Sequence, residues 1–222
     1  ALYFKFLLSP PLKRLSAFFR DEEFRWYLGL TLGFILLLSL SNLGFYEGNF
    51  LSSLHYSAFQ ICSVFSTTGF GLAPFGLWPV SSQMLLFVAM FIGACAGSTA
   101  GGMKVVRVAL LTKLTGRSIR AVGRPRKVET VRLDHKAVEE STLSQIAVFT
   151  IIYGGMVLLG AFLLSLEGIG DMATHLSAAL TCVSNIGPGF GLVVGDFTCY
   201  GLFGKLLCSF LMLAGRLELL PM

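Results

Sequence analysis

The chain has few charged residues, and two long stretches of it contain no basic residue. Only 13% of its 222 residues are charged, whereas 55% are hydrophobic. Lysine and arginine are absent from residues 26–103 and again from residues 137–204. Such an apolar composition is unusual for a soluble protein and is typical of a chain that lies in a lipid bilayer.

Most of the basic residues are concentrated in two clusters on either side of the first of these stretches. Fifteen of the 17 lysines and arginines fall within residues 5–25 and 104–136. Under the positive-inside rule both clusters are cytoplasmic, so the chain between them leaves the cytoplasmic side of the membrane and returns to it. The net charge of +5 therefore reflects topology rather than nucleic-acid binding. For the second cluster, contact with nucleic acid or anionic lipid is the alternative.

Cysteine and histidine form no pattern that indicates a metal or catalytic site. The five cysteines are Cys62, Cys95, Cys182, Cys199 and Cys208. They include no CxxC pair, and the three histidines have no partners at metal-ligand spacing. No nucleophile stands beside a base in a catalytic motif, so the sequence predicts that the chain is not an enzyme. The first ten residues also lack the features of a cleavable signal peptide.

The chain contains two similar units, which repeat with a period of about 120 residues. His55 and Cys62 recur as His175 and Cys182. Each unit has a long apolar helix, a polar turn, a half-length helix, a glycine-containing tetrad and a second long helix. The first unit has these features at residues 26–43, 44–50, 51–65, 67–70 and from 83 onward, and the second at 143–166, 167–171, 172–183, 185–188 and from 200 onward.

The half-length helices are too short to cross a bilayer. With about 12 to 15 residues each, they span roughly 18 to 22 Å, whereas the hydrocarbon core is about 30 Å thick. Backbone that turns at mid-depth is tolerated only where it lines water or is buried in protein. We therefore interpret both as re-entrant pore helices. Taken alone, either could instead be an interfacial or a buried helix.

The tetrads after these helices carry no charged side chain, so backbone carbonyls are the available ligands. Rings of carbonyls at the end of a pore helix can replace the water shell of a monovalent cation. We predict that the two runs form an ion-binding selectivity filter, although a single such run would be interpreted as a loop. The predicted filter residues are Ser66, Thr67, Thr68, Gly69 and Phe70 in the first unit, and Ser184, Asn185, Ile186, Gly187 and Pro188 in the second.

A glycine-rich segment, residues 93–102, interrupts the helix that follows the first tetrad. Its glycines are costly in a helix interior, and unwound backbone at membrane depth again requires a water-filled path. We interpret the segment as a movable gate, with a close helix contact as the alternative. Arg216 aligns with the start of this segment, where its charge would raise the barrier to cations unless it pairs with Glu218. The predicted gate residues are Gly93, Gly97, Ser98, Thr99, Gly101, Gly102 and Arg216.

Four motifs resemble the Trk/Ktr/HKT superfamily of potassium transporters, and its Trk/Ktr membrane subunit in particular. They are STTGFG at Ser66, GACAGSTAGGMKVVR at Gly93, SNIGPGFG at Ser184 and AGRLEL at Ala214. The resemblance implies an all-α membrane fold with four membrane-helix, pore-loop, membrane-helix repeats around one filter, of which this chain has two in tandem, the third and fourth. It implies that potassium binds the backbone carbonyls of Thr67, Thr68, Gly69, Asn185, Ile186 and Gly187.

The resemblance also implies a division of the chain, a location and partners. Residues 1–25 would be a cytoplasmic linker, 26–112 the first repeat, 113–142 a basic cytoplasmic linker and 143–222 the second repeat. We expect a multi-pass protein of the cell membrane that forms a homodimer and carries no cofactor besides the transported K⁺. A cytosolic ring of nucleotide-binding, TrkA/KtrA-like regulatory subunits would contact residues 113–136.

Alternatives remain open from the sequence. The two missing repeats precede this chain in one longer polypeptide, or the chain is a two-repeat subunit that pairs with itself. A secondary transporter that moves Na⁺ and K⁺ through the same site is the alternative to a channel-like pore, although the two units run in the same direction rather than as inverted repeats. A membrane enzyme and a purely structural subunit are the other classes.

Overall fold

The structure, a computed structural model, describes residues 21–96, 98, 100–123, 130–134 and 136–216. Two short 3₁₀-helices, Phe75–Leu77 and Gly191–Val193, follow the tetrads. The α-helices are α1 (Glu22–Ser41), α2 (Phe50–Phe65), α3 (Val80–Ile92), α4 (Val105–Gly123), α5 (Glu140–Ser165), α6 (Met172–Ser184) and α7 (Leu202–Arg216), and two strands, β1 (Arg132–Leu133) and β2 (Lys136–Ala137), pair antiparallel.

The two long apolar helices begin before their apolar segments. We predicted that they start at residues 26 and 143, but α1 begins at Glu22 and α5 at Glu140. Asp21 caps α1, because its carboxylate accepts the backbone N–H groups of Glu23 at 3.0 Å and of Phe24 at 3.3 Å. Acidic side chains stabilise the positive end of a helix, so each helix extends into the polar sequence that precedes its apolar part.

The helices that follow the two tetrads also differ from the predicted bounds. We predicted starts at residues 83 and 200, but α3 begins at Val80 and α7 at Leu202. Pro79 lies directly before α3. Proline is favoured at a helix start, because backbone N–H groups there have no partner within the helix and proline has no N–H group. At α7, the Glu167 carboxylate accepts the N–H groups of Gly201 at 2.8 Å and Gly204 at 2.6 Å, which fixes the first turn from a separate segment.

The lengths of α1, α2, α5 and α6 agree with the predicted division into spanning and re-entrant segments, whereas α3 has only 13 residues because it ends at the glycine-rich segment. Helices α1 and α5 are long and apolar enough to cross a bilayer. The half-length helices α2 and α6 have 16 and 13 residues, which corresponds to roughly 24 and 20 Å. Neither reaches the roughly 30 Å of a hydrocarbon core.

The two units share one plan and meet at the second half-length helix. Helix α2 packs against α1 and α3, and α6 packs against α5 and α7 in the same way. Helix α6 also packs against α3 of the first unit, and ten of its 13 residues are buried. Helix α2 is less enclosed, because Leu51, Phe59 and Cys62 along one side of it are exposed. Helix α6 is therefore more enclosed than α2.

The linker between the units folds against both of them. The Glu22 carboxylate forms an ion pair with Lys113 of α4, whose ammonium also donates to the Arg132 carbonyl at 2.7 Å. The Glu22 N–H donates to the Asp134 carboxylate at 2.9 Å. Helix α4 continues without a break through residue 112, where we predicted that the first repeat ends. The β-hairpin is a small addition to the predicted all-α fold.

Candidate ion-binding site and intramembrane loop

Both tetrads begin with the same backbone turn at the end of a half-length helix. Thr67 after α2 and Asn185 after α6 have left-handed φ angles of 51° and 55°. In each case the N–H of the next residue donates to the carbonyl five positions earlier, at 3.0 Å. This Schellman-type ending turns the chain sharply and uses carbonyls that a helix end would otherwise leave unpaired.

The glycines of the tetrads occupy equivalent positions, two residues after these turns. Gly69 has a φ of 78° and Gly187 a φ of 116°, a region that favours glycine. These glycines are 118 residues apart, whereas Cys62 and Cys182 are 120 apart. Counted back from the left-handed residues Thr67 and Asn185, Cys62 corresponds to Leu180. The sequence identity of the two cysteines is therefore not a structural equivalence.

The two tetrads contact each other directly. A Cβ atom placed on Gly69 would lie 2.2 Å from the carbonyl oxygen of Ile186 and 3.0 Å from Cδ of Pro188. Ile186 is buried, whereas Thr68 and Gly187 are exposed. The two runs that we predicted as filter segments are thus neighbours, although they lie in different units of the chain.

The backbone carbonyls of these turns are available as ligands. Among the described residues, none donates a hydrogen bond to the carbonyls of the three positions that follow Ser66 or Ser184. Carbonyls that accept no protein donor can accept water or coordinate a cation. The carbonyls are those of Thr67, Thr68, Gly69, Asn185, Ile186 and Gly187.

Hydroxyl groups on the half-length helices fix the tetrads. Ser63 Oγ donates to the Phe70 carbonyl at 2.7 Å, and Thr181 Oγ1 accepts the Gly187 N–H at 2.9 Å. Ser63 and Thr181 are also 118 residues apart, so both units use a hydroxyl at the same position. Sequence reasoning missed this pair, because the visible repeat suggested a register of 120. The Asn185 amide adds a hydrogen bond to the Met212 carbonyl of α7 at 3.2 Å.

Ser184 and Phe70 differ from the other predicted filter residues in their hydrogen bonds. Ser184 is buried, and its hydroxyl lies 2.6 Å from the Tyr153 hydroxyl and donates to the Met90 carbonyl at 3.1 Å. It therefore joins α6 to α5 and α3. The carbonyl of Phe70 already accepts the Ser63 hydroxyl, while its side chain is exposed.

The glycine-rich segment is not helical and folds back on itself. Gly93 ends α3 with a φ of 72°, and a Cβ atom on it would lie 2.6 Å from the Gly101 carbonyl oxygen. Across the base of the loop, the Val105 N–H donates to the Ala94 carbonyl at 3.0 Å. The described part of the segment thus forms a compact loop between α3 and α4. Two predicted gate residues, Gly97 and Thr99, lie outside the described residues.

The loop and the last helix both press against the end of α6. A Cβ atom on Gly101 would lie 2.1 Å from the Ser184 carbonyl oxygen, and one on Gly215 would lie 1.9 Å from the Val183 carbonyl oxygen. Glycine at these two positions therefore lets the loop and α7 approach the helix end that carries the second tetrad.

Arg216 and the loop line one cavity. Its volume is about 220 Å³, enough for several water molecules. Ser98, Gly101 and Gly102 of the loop, Tyr153 of α5 and Arg216 of α7 lie on its wall. Of the described gate residues, the structure therefore brings Ser98, Gly101, Gly102 and Arg216 to this cavity, while Gly93 lies outside its lining. Glu218, the alternative partner of Arg216, lies outside the described residues.

A carboxylate from the first helix also holds the loop. The Glu23 side chain accepts the backbone N–H of Ala96. Sequence reasoning did not select Glu23, because it lies at the edge of a basic cluster. The signal was the run Asp21, Glu22 and Glu23 directly before the apolar part of α1. Each of the three has a distinct acceptor role in the structure.

The turns on the opposite side of the membrane from the basic clusters are acidic. They carry Glu47, Asp171 and Asp196, all of which are exposed. Hydrogen bonds from the hydroxyl and the N–H of Thr198 lower the pKa of Asp196. The Asp196 carboxylate therefore keeps its negative charge.

Comparison with known proteins gives consistent matches over nearly the whole chain. The family described as TrkH, cation transport protein, matches residues 3–222. The Trk system potassium uptake protein TrkH of Salmonella typhimurium is 32% identical over 208 residues, which cover 93% of this chain and 43% of that protein. Protein TrkI of Halomonas elongata, also named a Trk system potassium uptake protein, is 31% identical over 222 residues, which cover 99% of this chain and 44% of that protein.

A solved structure matches as well. The crystal structure of the potassium transporter TrkH from Vibrio parahaemolyticus has a TM-score of 0.88 and 29% identity to this chain. The match covers 98% of this chain and 46% of that one. The chain thus spans less than half the length of its relatives. The predicted fold class, two tandem repeats that make up half of a four-repeat helical membrane fold, is confirmed.

Proposed function

Because this chain belongs to the TrkH family of cation transport proteins, we propose that it supplies two of the pore units through which a membrane protein takes up potassium. Potassium uptake is the activity named for its relatives. Family membership also agrees with the prediction that the chain is not an enzyme. We place the protein in the cell membrane, with α1 and α5 as spanning helices.

One observation carries this proposal. Six carbonyls from two tetrads that contact each other accept no hydrogen bond from the described residues. A dehydrated potassium ion requires several oxygen ligands in place of its water, and uncharged carbonyls provide them without holding the ion too tightly. Helices α2 and α6 direct their C-terminal ends at the same region, and the partial negative charge there favours a cation.

The loop between α3 and α4 is proposed as the gate. It lies directly behind the end of α6, where Gly101 approaches the Ser184 carbonyl. Arg216 shares a cavity with it and adds a positive charge that opposes the entry of a cation. The Glu23 carboxylate acts as a positioning group for the loop through Ala96. Potassium would pass when the loop moves away from the end of α6.

The linker is proposed as the route by which a regulatory subunit controls this gate. Helix α4 starts directly after the loop, and Lys113 connects it to α1 and to the β-hairpin. A cytosolic nucleotide-binding partner that pulls on residues 113–136 would therefore act on the loop through a continuous helix. We also propose that the complete protein forms a homodimer.

Complementation tests the proposed function. The complete coding region that contains this chain is expressed in cells that lack potassium uptake, and growth is measured at low external potassium. We expect growth to be restored, with uptake of a rubidium tracer that competes with potassium. Absence of rescue despite normal membrane expression would contradict the proposal. Uptake that requires a sodium gradient would favour the secondary transporter instead.

A further inference from the structure

Two cysteines on the packed helices α6 and α7 line the same cavity. Cys182 is 4% exposed and Cys208 is 6% exposed, and both are free thiols. Both side chains lie on the wall of one cavity, where the two thiols are within interaction distance of each other. The sequence pattern of the cysteines indicated no metal or catalytic site, and the proposed pore does not use these two thiols.

A cavity reaches this thiol pair from the second tetrad. Its volume is about 430 Å³, and both cysteines lie on its wall together with Asn185, Gly187 and Ser209. The pair is therefore within reach of a small solute, although little of either side chain is exposed.

We propose that Cys182 and Cys208 form a binding site for a thiophilic, two-coordinate metal cation such as Hg²⁺, Ag⁺ or Cu⁺. Soft thiolates select these metals, which are satisfied by two sulfur ligands in line. Zinc is disfavoured because it takes four ligands, and the described residues contain no group of three or more His, Cys, Asp or Glu side chains that could hold a metal. When Hg²⁺ binds, two S–H bonds break, two S–Hg bonds form, two protons leave and no electron is transferred.

Occupation of this site would join two elements beside the filter. Cys182 lies one helical turn before Asn185, whose side chain donates to the Met212 carbonyl of α7. A metal bridge from Cys182 to Cys208 would change the separation of α6 and α7. It would therefore disturb the hydrogen bond that holds the second tetrad to α7. We therefore expect the metal to inhibit potassium uptake, an expectation that rests on the proposed function.

Metal binding is tested first on the purified complete protein, without any transport measurement. Equimolar Hg²⁺ is added, the protein is digested, and the peptides are analysed by mass spectrometry under conditions that keep S–Hg bonds. We expect one peptide pair that contains Cys182 and Cys208, with one mercury in place of two protons. Cys182→Ser and Cys208→Ser should each abolish this pair, whereas Cys199→Ser, the matched control, should keep it. Mercury found only as single adducts on Cys62, Cys95 or Cys199 would overturn the site.

Uptake is then measured to test the functional consequence. Submicromolar Hg²⁺ should reduce rubidium uptake at least about tenfold more in the parent than in the Cys182→Ser or Cys208→Ser variant. Thermal unfolding shows whether each variant is folded. A bridged peptide pair together with metal-insensitive uptake would keep the binding site but refute its inhibitory role. If rubidium uptake is absent in the parent, the proposed function fails while the peptide result still stands.

Discussion

Gly69 of the first unit lies against the carbonyl oxygen of Ile186 in the second unit. The two residues are far apart in the sequence, yet a Cβ atom on Gly69 would lie only 2.2 Å from that oxygen. The contact joins the ends of the two half-length helices at one place. The proposed filter depends on it, because carbonyls from separate repeats can surround one ion only if the repeats meet there.

Replacement of this glycine by alanine should abolish selective uptake. In Gly69→Ala, the added methyl group would overlap the Ile186 carbonyl and a left-handed φ would also be strained, by about 1–2 kcal/mol. We expect rubidium uptake to fall at least about tenfold, since 1.4 kcal/mol corresponds to a factor of ten. Gly48→Ala is the control, because Gly48 has a φ of 80° but no atom within 4 Å of the new methyl group. Equal uptake by the two variants would show that the contact is unimportant.

Removal of the Thr181 hydroxyl should reduce ion selectivity. Thr181→Val keeps the side-chain shape but deletes the acceptor for the Gly187 N–H. A buried hydrogen bond is worth about 1 kcal/mol, so we expect the preference for potassium over sodium to fall roughly fivefold. The measurement is competition between sodium and rubidium in uptake. Thr198→Val, in an exposed turn, should leave selectivity unchanged, and a selectivity of Thr181→Val equal to that of the parent would contradict the proposal.

Removal of the charge at Arg216 should increase flux. Arg216 shares a cavity with the loop, so Arg216→Ala takes a positive charge away from the proposed cation path. We expect basal rubidium uptake to rise by several-fold, up to about tenfold if the charge contributes 1.4 kcal/mol to the barrier. Lys205→Ala serves as the control, because Lys205 is exposed near the other end of the same helix. A lower flux in Arg216→Ala would count against a barrier role.

Loss of the Glu23 carboxylate should release the loop. A hydrogen bond to a charged group is worth about 1.5–3 kcal/mol, and Glu23→Ala leaves the Ala96 N–H without this acceptor. We expect an increase in basal uptake. Glu23→Gln keeps an acceptor oxygen, so its basal uptake should stay nearly as low as that of the parent. Arg25→Ala is the control, because Arg25 is an exposed residue of the same turn. If Glu23→Ala and the parent have the same basal uptake, Glu23 does not position a gate.

The Glu167 carboxylate should stabilise the fold without acting on the ion path. It accepts two N–H groups at the start of α7, so Glu167→Ala should lower stability by about 1 kcal/mol, as for the loss of a helix cap. Thermal unfolding in detergent measures the effect. Asp171→Ala is a suitable control, because Asp171 also precedes a helix but its side chain forms no capping hydrogen bond. Similar losses in both variants would refute the capping role.

Local sequence features were sufficient to predict the apolar helices and their order, but not the β-hairpin of the linker. Apolar runs without basic residues indicated the spanning helices, and the shortness of the helices before Ser66 and Ser184 indicated that they are re-entrant. Helix starts were less predictable, because Asp21 and Glu167 cap helices through hydrogen bonds that a hydropathy pattern does not contain. The register of the repeat was also hidden, since the identical Cys62 and Cys182 are not equivalent in the fold.

The sequence by itself determined that the chain is a tandem membrane repeat with uncharged, glycine-containing turns, because hydropathy and backbone freedom are properties of neighbouring residues. Only the tertiary structure decided which of these turns meet. The contacts of Gly69 with Ile186, of Gly101 with Ser184 and of Glu23 with Ala96 each join residues that are far apart in the chain. Close packing and long-range hydrogen bonds fix such pairs, and neither is encoded in the periodicity of a single segment.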